Sequence, residues 1–180
     1  MPSWSRWKSV PRMSAELISA LRGVPHLDDR YVPCAVKQND KSESPCVVFV
    51  ERDFAKDEML FGPKGLGIYF RFDPDRMIEV ASVAEVRISP FKLPLPIEKM
   101  LREHGPTHAA GYLAKLVLKD GKTYWHAWGE QPWFVSLPEG YRTHDLIDVV
   151  FPSENESRNV WSSETVASEP RFRWCVYSGP

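Results

Sequence analysis

Histidines and cysteines are the side chains most able to carry chemistry in this chain of 180 residues, which has five of the first and three of the second. His104 and His108 stand four apart, the spacing that places two imidazoles on one helical face and can hold a metal ion. Gly105 and Pro106 lie between them and interrupt the helix that such a pair requires. His126 has no HExxH or CxxC pattern nearby to complete a ligand set. Neither a metal nor a cofactor is therefore expected. Cys34, Cys46 and Cys175 are far apart in sequence, and none is flanked by a histidine or a basic cluster that would activate it. They read as free thiols of a reducing, cytoplasmic compartment.

Residues 62–67 are rich in glycine (Gly62, Gly65, Gly67) and carry Lys64. A phosphate cradle opens a helix, whereas this stretch leads into an alternating pattern over 66–72 and lacks the Gly-Lys-Ser/Thr ending. A tight turn into a strand explains it. Should the chain instead be a small enzyme or ligand-binding domain, this Gly62 to Gly67 loop with Lys64 and Tyr69, and with His104, His108 or His126, is where its site would lie. A Gly-x-Ser-x-Gly elbow is missing, and His144 and Asp145, being adjacent, would point to opposite faces of a strand.

Basic and aromatic residues interleave at Trp4, Arg6, Trp7 and Lys8, and again at Arg171, Phe172, Arg173 and Trp174. Such runs can stack on single-stranded nucleic acid. Yet 23 basic residues against 24 acidic ones leave a formal charge of −1, which attracts neither nucleic acid nor an anionic membrane. Nucleic acid is not the expected partner. The chain has no apolar run approaching the roughly 18 residues of a membrane helix, and its N-terminus lacks the apolar core of a signal peptide.

The elements that must position these residues are short. Sixteen prolines exclude long helices and favour a β-rich chain with many turns. Ser14 caps a helix whose stripe is Leu17, Ile18 and Leu21, and a second helix over 96–104 buries Ile97, Met100 and Leu101. Residues 26–45 read mostly as loop. Strands are expected over 46–52, 66–72, 133–137, 146–151 and 171–177, with 77–88 a long or bent strand that also carries a helix-start signal at Asp73 and Pro74. Asp120 and Gly121 predict a two-residue hairpin loop. That register sets Leu118 against Thr123, Leu116 against Trp125 and Ala114 against Ala127 on a core face. The other face then carries Val117 with Tyr124, Lys115 with His126, and Leu113 with Trp128.

The sum is an α+β fold dominated by one antiparallel sheet of seven to eight strands, able to curl into a partial barrel, with two short helices. Residues 1–152 are expected to form one domain and 153–170, rich in Ser and Glu, a polar linker. Residues 171–180 would bring a C-terminal strand onto the sheet of this chain or of a second copy, a route to a homo-oligomer. The function expected is a small protein-binding module without catalysis of its own, of inhibitor, immunity, adaptor or accessory-subunit type. Its partner would be another protein, held on a ledge of Tyr124, His126, Trp128, Leu113 and Lys115, since Trp and Tyr are enriched at interface hot spots. Protein purified without chelator should carry substoichiometric zinc; a stoichiometric metal whose removal lowers the melting temperature would contradict this.

Overall fold

A computed structural model describes residues 11–52, 76–107, 111–129, 131–163 and 165–178. The N-terminal Trp4–Trp7 stretch, the loop over 62–67 with Lys64, the strand expected over 66–72 with Tyr69, and His108 lie outside the described residues. In chain order the elements are α1 (Ala15–Arg22), β1 (Tyr31–Gln38), β2 (Glu43–Glu51), β3 (Met77–Glu79), a 3-10 turn (Val80–Ser82) and β4 (Val83–Arg87). Then come α2 (Leu95–His104), β5 (Tyr112–Leu118), β6 (Thr123–Trp128), β7 (Leu146–Val150), α3 (Glu154–Ser163), β8 (Val166–Ser168) and β9 (Arg173–Tyr177).

The fold mixes helix and sheet, with sheet dominant, as expected. It differs in having two sheets, each with parallel as well as antiparallel neighbours. The chain divides into two compact units, residues 1–89 with 172–180 and residues 90–171, so the boundary at Ser89 falls inside the stretch read as one domain. Residues 153–170, expected as a linker, hold α3 and β8. Ser153 accounts for the helix: its hydroxyl accepts from the Glu156 N–H at 3.3 Å while the Glu156 carboxylate accepts from the Ser153 N–H at 2.9 Å. This reciprocal capping box starts a helix in a sequence poor in large apolar groups.

The first unit holds a five-stranded sheet in the order β3-β9-β2-β1-β4. Residues 31–38 read as loop because of Pro33, yet they form β1. Pro33 sits opposite Val48 of β2, and β4 joins β1 only from Ala35 onward, so a missing N–H costs nothing on that side. Pro45 is accommodated in the same way, in the irregularity where the β1–β2 register shifts between Cys34 and Val36. Residues 77–88 are extended as expected, but the turn Val80–Ser82 breaks them into β3 and β4. The Asn39 side chain donates to the Ala81 carbonyl at 3.0 Å and its N–H to the Ser82 carbonyl at 2.8 Å, pinning the break to the β1–β2 turn. One face of the sheet packs Cys34, Val36, Val47, Phe49 and Cys175 against Leu17 and Leu21 of α1, whose N-terminus is capped by Ser14.

The second unit holds a four-stranded sheet in the order β7-β5-β6-β8. Its central hairpin departs from the expected register by one residue. The Leu118 N–H donates to the Lys122 carbonyl at 2.9 Å and the Gly121 N–H to the Leu118 carbonyl at 2.8 Å, so the loop has three residues, Lys119, Asp120 and Gly121. Gly121 adopts φ 84°, the left-handed conformation that closes a three-residue hairpin loop. Leu116 therefore pairs with Tyr124, Ala114 with His126 and Tyr112 with Trp128. A slip of one residue moves every β6 side chain to the other face relative to β5. Tyr112, Ala114, Leu116, Leu118 and Trp128 pack with Leu93, Ile97 and Leu101 in one core, while Leu113 and Trp125 pack with Val160 of α3 on the other side. Residues 133–137 form an isolated bridge, Lys92 to Phe134, in place of a strand.

β9 lies between β2 and β3, with Trp174 opposite Val48 and Met77. It is an interior strand. Trp174 is 3% exposed and its ring meets Phe172 edge-on at 5.1 Å. Trp174→Ala should lower the unfolding free energy by about 3–5 kcal/mol, the range for large aromatic truncations in a core, read by urea denaturation. A loss below about 1 kcal/mol, the scale of surface substitutions, would show that β9 is not seated there.

Candidate functional site

The five residues expected to form a ledge do not share an exposed face. His126, Trp128 and Leu113 are buried, Tyr124 and Lys115 half-buried. Tyr124, His126 and Trp128 lie on the β6 face that the α2 core covers, whereas Leu113 and Lys115 lie on the opposite face. Trp128 donates its indole N–H to the Phe134 carbonyl at 2.6 Å. Lys115 places its ammonium 4.6 Å from the ring centre of Trp125. Burial pushes the Tyr124 phenol pKa far up. His126 accepts from the Ser136 N–H through Nε2 at 3.1 Å, which puts its proton on Nδ1, and burial, only partly opposed by the Ala127 backbone, lowers its pKa to about 3. These side chains are packed in the core: the Trp128 indole and His126 Nε2 are hydrogen-bonded, whereas His126 Nδ1 and the Tyr124 hydroxyl are buried without a hydrogen-bond partner among the described residues.

His104 ends α2 with its ring stacked 3.7 Å from Phe151, and is exposed. Among the described residues no group of three or more His, Cys, Asp or Glu side chains is placed to hold a metal ion. Cys34, Cys46 and Cys175 are buried thiols outside any disulfide, and burial, followed by the neighbouring Cys175 and Cys46, holds the Cys34 thiol well above its ordinary pKa. Buried thiols of this kind are poor nucleophiles.

Sequence reasoning missed a buried ion network. Lys92 Nζ donates to Glu98 Oε2 at 2.6 Å, and Arg102 donates to Glu98 Oε1 through Nε at 3.0 Å and Nη2 at 2.9 Å. Burial holds the Lys92 pKa below its usual range despite the attraction of Glu98. Glu98 and Arg102, four apart on a helix, were the available signal. Both carboxylate oxygens are taken, so the network ties α2 to the segment before it.

Sequence reasoning also missed a groove of about 470 Å³ in the first unit between α1, the Val80–Ser82 turn and β4. Met13, Leu17, Val80, Val83 and Val86 give it an apolar floor. Arg12 and Glu16 stand at its rim, and neither makes an ion pair among the described residues. It is lined by four consecutive residues of β4, Val83 to Val86. Val83 and Val86 join the core, while Ala84 and Glu85 are exposed, and Ala84 is the extra residue where the β1–β4 register shifts. β4 pairs with β1 alone among the described residues, so its other side is an edge of the sheet, and four of its residues line the groove. Such an edge can accept an added strand.

No protein-family model, curated protein or solved structure matches the chain.

The buried imidazole of His126 makes stability depend on pH. In the unfolded chain it takes up a proton near pH 6.5, but in the fold it stays neutral down to about 3, so acid favours unfolding. Between those values this group alone costs about 1.4 kcal/mol for each pH unit. His126→Gln, which can still accept from Ser136, should flatten the fall in unfolding free energy between about pH 6.5 and pH 5, above the range where most carboxylates titrate. Equal slopes in the two proteins would refute the assignment.

Proposed function

We propose that the chain is a protein-binding module without catalysis of its own, and that it takes up an extended segment along the open edge of β4. The observation that carries this reading is the groove lined by consecutive β4 residues and walled by α1. Strand addition gives affinity through main-chain hydrogen bonds and selectivity through pockets for alternate side chains. The apolar floor of Leu17, Val80, Val83 and Val86 supplies those pockets. The other edge of this sheet, β3, has only three residues, a length that discourages pairing.

Other features agree with a protein partner. Phe172 and Trp174 are buried at 2% and 3% exposure, so the aromatic rings of that basic-aromatic run do not offer a stacking surface for bases. No helix among the described residues is long and apolar enough to cross a membrane. Three buried thiols outside any disulfide fit a reducing, cytoplasmic setting.

Extended peptides selected from a displayed random library against the purified protein test this reading. A bound peptide should lose affinity when alternate main-chain nitrogens are methylated on one parity and keep it when the other parity is methylated. Losing two hydrogen bonds at about 1 kcal/mol each weakens binding about thirtyfold. A selection that yields no binder, or binders indifferent to methylation on both parities, would overturn the proposal.

A further inference from the structure

We infer that the strand received by β4 is β4 of a second copy of this chain, running antiparallel about a two-fold axis at Val86. This rests on the strand-addition reading above and names its partner. The argument is charge and shape complementarity along the edge. An isologous pairing sets residue i of one copy against j of the other and j against i. Centred on Val86, it sets Glu85 against Arg87 of the second copy, Arg87 against Glu85 of the second copy, and Val86 against its own equivalent. One step outward it sets Ala84 against Ile88 of the second copy.

Glu85 and Arg87 are each about half exposed and already linked within the strand, Nε to Oε1 at 2.6 Å, on the face away from α1. The second copy would complete a square of four alternating charges on that face. Opposite charges directly across a pair of strands stabilise it, and like charges destabilise it. Val86 lies on the α1 face, where it packs partly buried against the core. Ile88 follows β4 and is 60% exposed, the most exposed large apolar side chain among the described residues. Opposite the small Ala84, it would be covered.

The alternative edge in the other unit has no such symmetry. β7 exposes Ile147 and Val150, but around its only charge, Asp148, a two-fold pairing opposes two carboxylates. Shifted to Val149, it sets Asp148 against Val150. Of these two edges, β4 offers its own complement.

Sedimentation velocity of the full chain over concentrations reaching the millimolar range tests this, with melting temperature as a control for folding. The wild-type mass should rise from monomer toward dimer. Glu85→Arg alone places four like charges around the axis and should weaken the dimer by about tenfold or more. Glu85→Arg with Arg87→Glu in the same chain restores opposite charges across the axis and should recover much of the dimer, short of the wild-type constant because the reversal opposes Lys37 and Glu43 within the chain. A wild type that stays monomeric throughout, or a double substitution that fails to recover the dimer, overturns the inference. If the wild type stays monomeric while selected peptides still bind with dependence on methylation parity, self-pairing falls and strand addition stands. If both fail, both readings fall. A dimer unaffected by Glu85→Arg has its seam elsewhere and likewise overturns the inference.

Discussion

The first unit depends on the hydrogen-bond ladders of one strand, β9, which pairs with β2 on one side and β3 on the other. Both pairings are parallel, and parallel strands cannot be joined by a tight turn. The chain must travel a long way between β2 and β9, and the whole of the second unit lies in that path. The sheet is therefore completed only by the last residues of the chain. Met77 and Ile78 of β3 have no sheet neighbour among the described residues except β9, opposite Trp174 and Cys175. Arg76 adds to the same junction, donating through Nε to the Phe172 carbonyl at 3.1 Å with its guanidinium 4.8 Å from the Phe172 ring centre.

Filling the interior of the sheet with β9 leaves β4 and β3 as its two outer strands among the described residues. The C-terminal strand, read from sequence as a route to an oligomer, has neighbours on both sides over Trp174 to Val176. Among the described residues the open five-residue edge is β4, and α1 lies beside it because Leu17 and Leu21 pack on the same core as Val83 and Val86. The groove is thus a by-product of packing a short helix next to an edge strand. Its apolar floor is the margin of the core, and its ionic decoration, Glu85 with Arg87, lies on the sheet face away from α1.

Much of the secondary structure was legible in the sequence, because period and capping are local. Ser14, Ile97 and Leu101 of α2, and the extended character of 171–177 and of most of 77–88 read correctly, whereas Met100, expected in the α2 stripe, is exposed. Part of what failed depended on partners distant in sequence, and part on local signals that fit two structures. Pro33 hides a strand because its tolerance depends on where β4 begins. The hairpin slipped by one residue because Asp120 and Gly121 suit both a two-residue and a three-residue loop, and the choice is settled by Leu118 bonding to Lys122. That slip moved His126 and Trp128 onto the face buried by α2, and with it the supposed ledge disappeared. The candidate site was illegible for a related reason. Residues 83–87 look the same in an interior strand as at an edge, and only the strand order shows that nothing described pairs on their far side.

Residue-resolved amide hydrogen exchange, measured at low and at high protein concentration, tests the central claim that an interior β9 leaves β4 as the receptive edge. The account predicts that Trp174, Cys175 and Val176 exchange only through global unfolding at every concentration. Alternate amides from Glu85 to Ile88 should exchange fast when dilute and become protected as concentration rises. Fast exchange throughout β9, or protection of β4 that is uniform and independent of concentration, would contradict it.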